Sequence, residues 1–157
     1  MDGKSEEESN FIECSICLEK CTLPYKLECS HVFCFLCLKR SYESTNRHCP
    51  LCRSYITKKT LRDAQLSEDL PDDEVWMYAG RHDGFWVYDP VSQEILEKGY
   101  QEYLNDNSKT TIQLEILGKT YDVNFETMMQ NYGGLKRKIK RDIPDDETKG
   151  MAGLKIN

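Results

Sequence analysis

Seven of the eight cysteines and one of the three histidines of this 157-residue chain fall into one spaced series: Cys14/Cys17, Cys29/His31, Cys34/Cys37 and Cys49/Cys52. Each pair has chelating spacing. Four pairs supply eight ligands, which fills two closed tetrahedral zinc sites. One Cys-x2-Cys pair would be weak evidence; four ordered pairs within residues 14–52 are hard to reach by chance. The competing reading is a disulfide scaffold. Three features oppose it. Residues 1–10 are polar and acidic and do not read as a secretory leader, no cysteine follows Cys52, and His31 fills a slot that a disulfide framework leaves unused. The expectation is thiolates held on two Zn2+ in a reducing compartment, the cytosol first and the nucleus second. Cys21 is left over and is read as a packed or free thiol.

Pairs can be assigned to metals consecutively or alternately. Only Val32 and Phe33 separate the second pair from the third. Two independent fingers would have almost no chain there to part their metals. Alternate assignment is therefore preferred: Cys14, Cys17, Cys34 and Cys37 on one ion, Cys29, His31, Cys49 and Cys52 on the other. With every position filled by protein, neither ion can polarise a substrate or generate hydroxide. Cys21 has no evident base partner, which argues against covalent relay through it.

Composition divides the elements that must hold these groups. Every cysteine lies in residues 11–57, whereas residues 75–125 hold both tryptophans and five of the nine tyrosines. Residues 58–74 have linker composition, with a short helix expected over residues 61–66. The expected division is an acidic disordered segment (1–10), a zinc domain (11–57), a linker (58–74), an aromatic domain with a basic C-terminal segment (75–154) and a tail (155–157). The zinc domain is too small to bury much apolar surface, so metal must supply the missing stability. The net charge of −6 opposes general DNA or RNA binding, although residues 136–141 place five cations in six positions. No apolar run approaches the ~18–20 residues that span a bilayer, so no membrane partner is expected.

In the second half, Val75-Trp76-Met77-Tyr78 and Phe85-Trp86-Val87-Tyr88 read as aromatic strands around a turn containing Gly80 and Gly84. A helix follows, with Leu96, Tyr100 and Leu104 at every fourth residue. Gly99 interrupts it at a cost of about 1 kcal/mol relative to Ala. Ile112, Leu114 and Ile116 alternate, as do Tyr121, Val123 and Phe125, around a hairpin turn at Leu117-Gly118-Lys119, and a further element is expected near residues 126–131. The fold class is α+β: a half-barrel antiparallel sheet with one packed helix, after a small two-zinc module.

The ligand order and gaps resemble the RING finger family, which uses the alternate, cross-braced arrangement. That resemblance implies docking of a ubiquitin-conjugating enzyme (E2) in a shallow groove at Ile16, Leu38 (with Tyr42 as an alternative), Pro50 and Arg53. Arg53 would bridge the E2 and its ubiquitin and so carry the catalytic role. A planar fork of donors suits it to satisfying two acceptors at once.

Trp76, Trp86 and Glu97, followed by the hairpin, resemble the WWE domain. The pair of domains together resembles the Iduna-type ubiquitin ligases. The family implies recognition of the iso-ADP-ribose unit of poly(ADP-ribose), with poly(ADP-ribosyl)ated proteins such as tankyrase and its substrates as partners, Wnt signalling as context and activation by the ligand. The ligand residues it implies are Tyr78, Arg81, Trp86, Tyr121, Gln130, Arg137 and Lys149, with Lys39 reaching in from the RING side. The first turn, residues 80–84, is one residue longer than the family leads one to expect. Residues 131–135 are uncharged where the family is arginine-rich.

The leading expectation is a RING-type E3 ubiquitin ligase gated by poly(ADP-ribose), with no covalent ubiquitin intermediate on this chain. The alternatives are a poly(ADP-ribose)-binding zinc adaptor without ligase activity and a single-stranded nucleic-acid binder. Ile16, Pro50 and Arg53 argue against the first and the net negative charge against the second.

Overall fold

The computed structural model describes residues 11–156, so the expected acidic segment 1–10 lies outside the described residues. The chain divides into two compact units, Met1–Ile56 and Thr57–Asn157.

In the first unit, strands β1 (Pro24–Lys26) and β2 (Val32–Cys34) form an antiparallel pair, and helix α1 (Phe35–Ser41) follows directly. Its core is Phe33, Phe35, Leu38, Leu23 and Leu27, with Tyr42 and Ile56 closing one end. The rest is loops. Two of them have the same backbone design. Leu18 N–H donates to Cys14 O and Cys14 N–H to Glu19 O, each at 2.8 Å. Arg53 N–H donates to Cys49 O at 2.9 Å and Cys49 N–H to Ser54 O at 2.8 Å. Leu18 and Arg53 both take left-handed backbone, at φ 62° and 60°. Such a conformation is disfavoured for side chains other than Gly and persists only where the surroundings enforce it. Here the enforcing feature is the tight Cys-x2-Cys loop that these two backbone bonds close.

The second unit begins with a segment expected to be linker. Helix α2 (Lys58–Arg62) starts at Thr57, whose side chain accepts from Thr60 N–H. It therefore begins three residues before the expected helix. Ala64 and Leu66 are buried. Leu66 N–H donates to Lys155 O at 2.7 Å, and Lys155 N–H donates to Ala64 O at 3.0 Å. Residues 64–66 thus pack on the end of the chain and belong structurally to this unit.

Strands β3 (Val75–Ala79) and β4 (Phe85–Val87) form the first hairpin, and helix α3 (Pro90–Asn105) follows. Asp89 caps α3, accepting from Ser92 N–H, and Pro90 occupies its first turn. Then come β5 (Thr111–Ile116), β6 (Lys119–Asn124), β7 (Met129–Tyr132), β8 (Leu135–Asp142), β9 (Thr148–Met151) and β10 (Leu154–Lys155). The strand order is β10-β9-β4-β3-β8-β7-β6-β5, antiparallel throughout except for the parallel β4–β9 pair. α3 packs on both β3 and β5, which lie four places apart in that order. The sheet therefore curls around the helix, giving the expected half-barrel. Trp76, Tyr88, Leu96, Leu114, Val123, Phe125 and Ile139 form its core.

Two expectations about α3 are corrected. Leu104 is 54 % exposed and is not part of the buried stripe. Steps of four residues drift by about 40° each, and after two steps Tyr103 has replaced it against the core. Gly99 is no simple defect. A Cβ there would stand 2.9 Å from Ile112 Cγ2 and 3.2 Å from Phe125 Cε2, so the missing side chain is what lets helix and sheet approach.

The basic run contains a strand that the sequence reading missed. β8 pairs with β3 on one side and β7 on the other. Its residues alternate: Ile139 is buried in the core and Arg137 and Arg141 share its face, while Lys136 and Lys138 point the other way and are exposed.

Candidate functional site

The eight expected ligands gather into the two groups given by alternate assignment. Cys14, Cys17, Cys34 and Cys37 form one and Cys29, His31, Cys49 and Cys52 the other, with the ligand atoms of each within 4.8 Å of one another. Cys17 Sγ lies 3.9 Å from Cys34 Sγ. His31 Nδ1 lies 3.5 Å from both Cys29 Sγ and Cys49 Sγ. A tetrahedron with ordinary zinc bond lengths has S–S edges of about 3.8 Å and S–N edges of about 3.6 Å. The donor sets fit zinc in chemistry and in size, and His31 presents Nδ1. Burial pushes the Cys34 thiol up and the Cys37 thiol up to about 12. Against the upward push of burial, backbone hydrogen bonds pull Cys14 of the same group down, to about 7, so Cys34 and Cys37 are the thiols that resist charging; a divalent cation reverses that logic. Cys21 belongs to neither group and is half-buried, with its thiol pushed up mainly by burial.

The two matching loops carry the expected docking residues. Ile16 is half-buried, and Pro50 and Arg53 are exposed. Pro50 and Arg53 line one cleft with Thr45, His48 and Cys49. The expectation for Leu38 is corrected: it is fully buried on the inner face of α1 and has no surface to offer a partner. Its alternative Tyr42 is also buried and donates its O–H to Ile56 O at 3.3 Å. The exposed apolar side chain passed over is Leu51, which occupies in the second loop the place Ile16 has in the first and is 53 % exposed. The repeated Cys-x-(Ile/Leu)-Cys pattern was the signal for it. Lys39 lies on α1 of this unit, with Nζ 5.5 Å from the Phe35 ring centroid.

In the second unit the expected ligand residues divide into a buried wall and a cationic rim. Tyr78 on β3 and Tyr88 after β4 meet at a ring-centroid distance of 4.7 Å. Tyr88 donates its O–H to Gln130 Oε1 at 2.5 Å, which orients the Gln130 amide with its NH2 as the donor end. Gln130 is 5 % exposed, so it acts from the floor. Burial pushes the Tyr78 phenol up to about 12, against the opposing pull of the Arg137 guanidinium. Arg137 also donates to Ala79 O at 3.4 Å. Tyr121 on β6 is half-buried beside them. Tyr88 is the wall residue that the sequence reading left as an ordinary strand position.

The rim is built over Gly80. Lys149 Nζ and Trp86 Nε1 each lie 3.3 Å from where a Gly80 Cβ would stand. A cation and an N–H donor thus converge on Gly80, where the Asp83 carbonyl oxygen stands nearer still, at 2.9 Å, and a side chain would crowd all three. Lys149 reaches it because β9 runs parallel to β4, with Trp86 opposite Gly150. Arg81 is exposed in the same turn, which Gly80 N–H closes onto Gly84 O at 2.8 Å. The other tryptophan plays a different part. Trp76 is 1 % exposed and donates its indole N–H to Glu97 at 2.8 Å, and Arg141 binds the same carboxylate at 2.9 Å.

Residues 12–53 match the Ring finger domain and residues 74–141 the WWE domain. The chain is a RING–WWE protein. Its similarity to curated relatives covers 92 % of the chain. It is 38 % identical to "E3 ubiquitin-protein ligase rnf146" of Salmo salar over 157 residues, 92 % of this chain and 43 % of the relative. It is 37 % identical to RNF146-A of Bos taurus, with the same coverage, and 36 % identical to RNF146 of Homo sapiens, covering 92 % of this chain and 42 % of that one. The chain thus spans less than half the length of these relatives. In this RING–WWE protein the metal groups and the Arg53 cleft belong to the RING unit. Tyr78, Trp86, Tyr121, Gln130 and Arg137 fall within the WWE match, and Lys149 lies just beyond it.

Proposed function

We propose that this RING–WWE protein is an E3 ubiquitin-protein ligase that recognises poly(ADP-ribosyl)ated proteins through the iso-ADP-ribose unit and is activated by it. The supporting observation is the grouping of aromatic, amide and cationic side chains in the WWE unit. Iso-ADP-ribose carries an adenine, two riboses and two phosphates. Tyr78, Tyr121 and Gln130 offer aromatic surface and an amide donor for base and sugar. Lys149, Arg137 and Arg81 offer cations for phosphate, and Trp86 Nε1 adds a donor. Gly80 has no side chain to crowd Lys149 and Trp86 apart. Lys39 of the RING unit is proposed as a further ligand residue, through which binding would couple to activity.

Zinc, when bound, supplies a rigid cross-link, because each ion has four protein ligands. The chain's own residues do the rest. Ile16, Leu51 and Pro50 present apolar surface for the E2, and the Arg53 guanidinium bridges E2 and ubiquitin. Catalysis is by proximity: the thioester is held in a reactive pose until a substrate lysine attacks. The E2, ubiquitin and modified proteins such as tankyrase and its substrates are the proposed partners. Cytosol, with the nucleus second, is the proposed location.

The test is ubiquitin chain formation by zinc-loaded protein with purified E2, with and without iso-ADP-ribose. Activity that rises with ligand supports the reading. Binding of iso-ADP-ribose without ligase activity in either condition overturns it in favour of an adaptor.

A further inference from the structure

The face of the half-barrel that holds the ligand wall continues past it to the hairpin ends. On β7, Gln130 and Tyr132 point the same way; on β8, Arg137 and Leu135 do. On β6, Lys119, Tyr121 and Val123 share that face, with Val123 opposite Gln130. One step outward from the buried Gln130, this surface becomes aromatic and open. Tyr132 is 38 % exposed and Leu135 is 68 % exposed. The Tyr132 ring lies 5.2 Å from the Tyr121 ring, and Lys119 Nζ sits 5.4 Å from the Tyr132 centroid. The Gly133-Gly134 turn, at φ 55° and 82°, holds the hairpin clear of other atoms, since a Cβ at either glycine would meet nothing within 4 Å.

An exposed aromatic ring with a cation over it, contiguous with a ligand cleft, has the composition that binds a nucleobase and its phosphate. We propose that Tyr132 and Lys119 form a second subsite, which takes the adenine and an adjoining phosphate of the neighbouring ADP-ribose unit in the polymer. The inference rests on the function proposed above. It adds that this protein reads more than one unit. Tyr132 supplies the stacking face and Tyr121 holds that ring from the inner side. Lys119 moves from the ring to the phosphate when the base arrives.

The experiment compares iso-ADP-ribose with a dimer of ADP-ribose, which contains one iso-ADP-ribose junction and a second adenine. Dissociation constants for the zinc-loaded chain are measured by calorimetry. The expected result is a dimer bound about 5-fold more tightly or better, the lower end for one stacked base. In Tyr132→Ala the ratio of the two affinities falls to one; in Tyr132→Phe, which keeps the ring, the ratio stays. Lys119→Met lowers the ratio and flattens its salt dependence. Equal binding of both ligands by the unmodified chain overturns the second subsite and leaves the first standing, as does a dimer advantage that survives Tyr132→Ala. Failure of both ligands to bind overturns the proposed function itself, and the second subsite with it.

Discussion

Glu97 on α3 accepts the indole N–H of Trp76 on β3 across 2.8 Å, and the same carboxylate holds Arg141 of β8. One acidic side chain thus ties the helix to two adjacent strands. Arg141 holds the Glu97 carboxyl below the usual range, and Trp76 adds to the effect. Glu97→Ala is expected to destabilise the WWE unit by about 1–2 kcal/mol, at the low end for a charged hydrogen bond because the pair is partly exposed. Denaturant unfolding measures it. A lowered folded pKa means that this stability is full above the ordinary Glu range and is lost as pH falls through the folded value. The gap between unmodified protein and Glu97→Gln should therefore narrow on acidification from pH 7 to below ~4. A constant gap would remove the ionic contribution.

Gly99→Ala sets two effects against each other. Helix propensity favours Ala by about 1 kcal/mol. The new methyl would stand 2.9 Å from Ile112 Cγ2, and overpacking typically costs about 1–3 kcal/mol. The overpacking wins, and a net loss of roughly 1 kcal/mol is expected. A stabilised variant in thermal unfolding would show that the helix can move outward freely.

Both tryptophans lie in the second unit. Chelation of zinc is expected to unfold the RING unit while tryptophan fluorescence and near-ultraviolet dichroism stay native. Metal analysis should find two zinc ions per chain before chelation. Loss of the tryptophan signal at the same chelator concentration would mean that the WWE unit depends on the metals.

Arg53→Ala should leave E2 binding within about twofold and slow single-turnover ubiquitin discharge by at least ~10-fold, since a bridging charged hydrogen bond contributes on the order of 1.5–3 kcal/mol. Unchanged discharge removes the bridging role. Leu51→Ser is the converse, weakening E2 binding first.

Lys149→Met keeps most of the stem that covers Gly84 and removes the ammonium at the cradle. Iso-ADP-ribose affinity is expected to fall about tenfold, the value of one charge-assisted contact. Titration at two ionic strengths checks it: the affinity of the variant should depend less steeply on salt.

The metal ligands were legible because ligation demands particular side chains at fixed spacings, and four such pairs in series are hard to reach by chance. The hairpins were legible from alternating aromatics and glycine turns. β8 was not, because five of its central six residues are cationic, and only its pairing with β3 and β7 makes it a strand. Tyr88 looked like any strand tyrosine, since its role depends on Gln130, 42 positions away. Leu38 was misassigned for a similar reason: seven helical residues carry too little periodicity to tell an inner leucine from an outer one.

β8 is effectively a two-channel tape. Odd-numbered positions 137, 139 and 141 write to the interior, where Arg137, Ile139 and Arg141 serve cleft, core and brace; Lys136 and Lys138 write to the water, and Lys140 lies over the Phe85 ring on the opposite face. A single residue inserted at the Gly133-Gly134 tip would be absorbed by the loop. The same insertion between Arg137 and Ile139 would throw the tape out of phase, facing either the cleft guanidinium or the core isoleucine and brace outward. Length variation in this protein's lineage should therefore collect at the hairpin tip and stop abruptly at the first inward-facing cation.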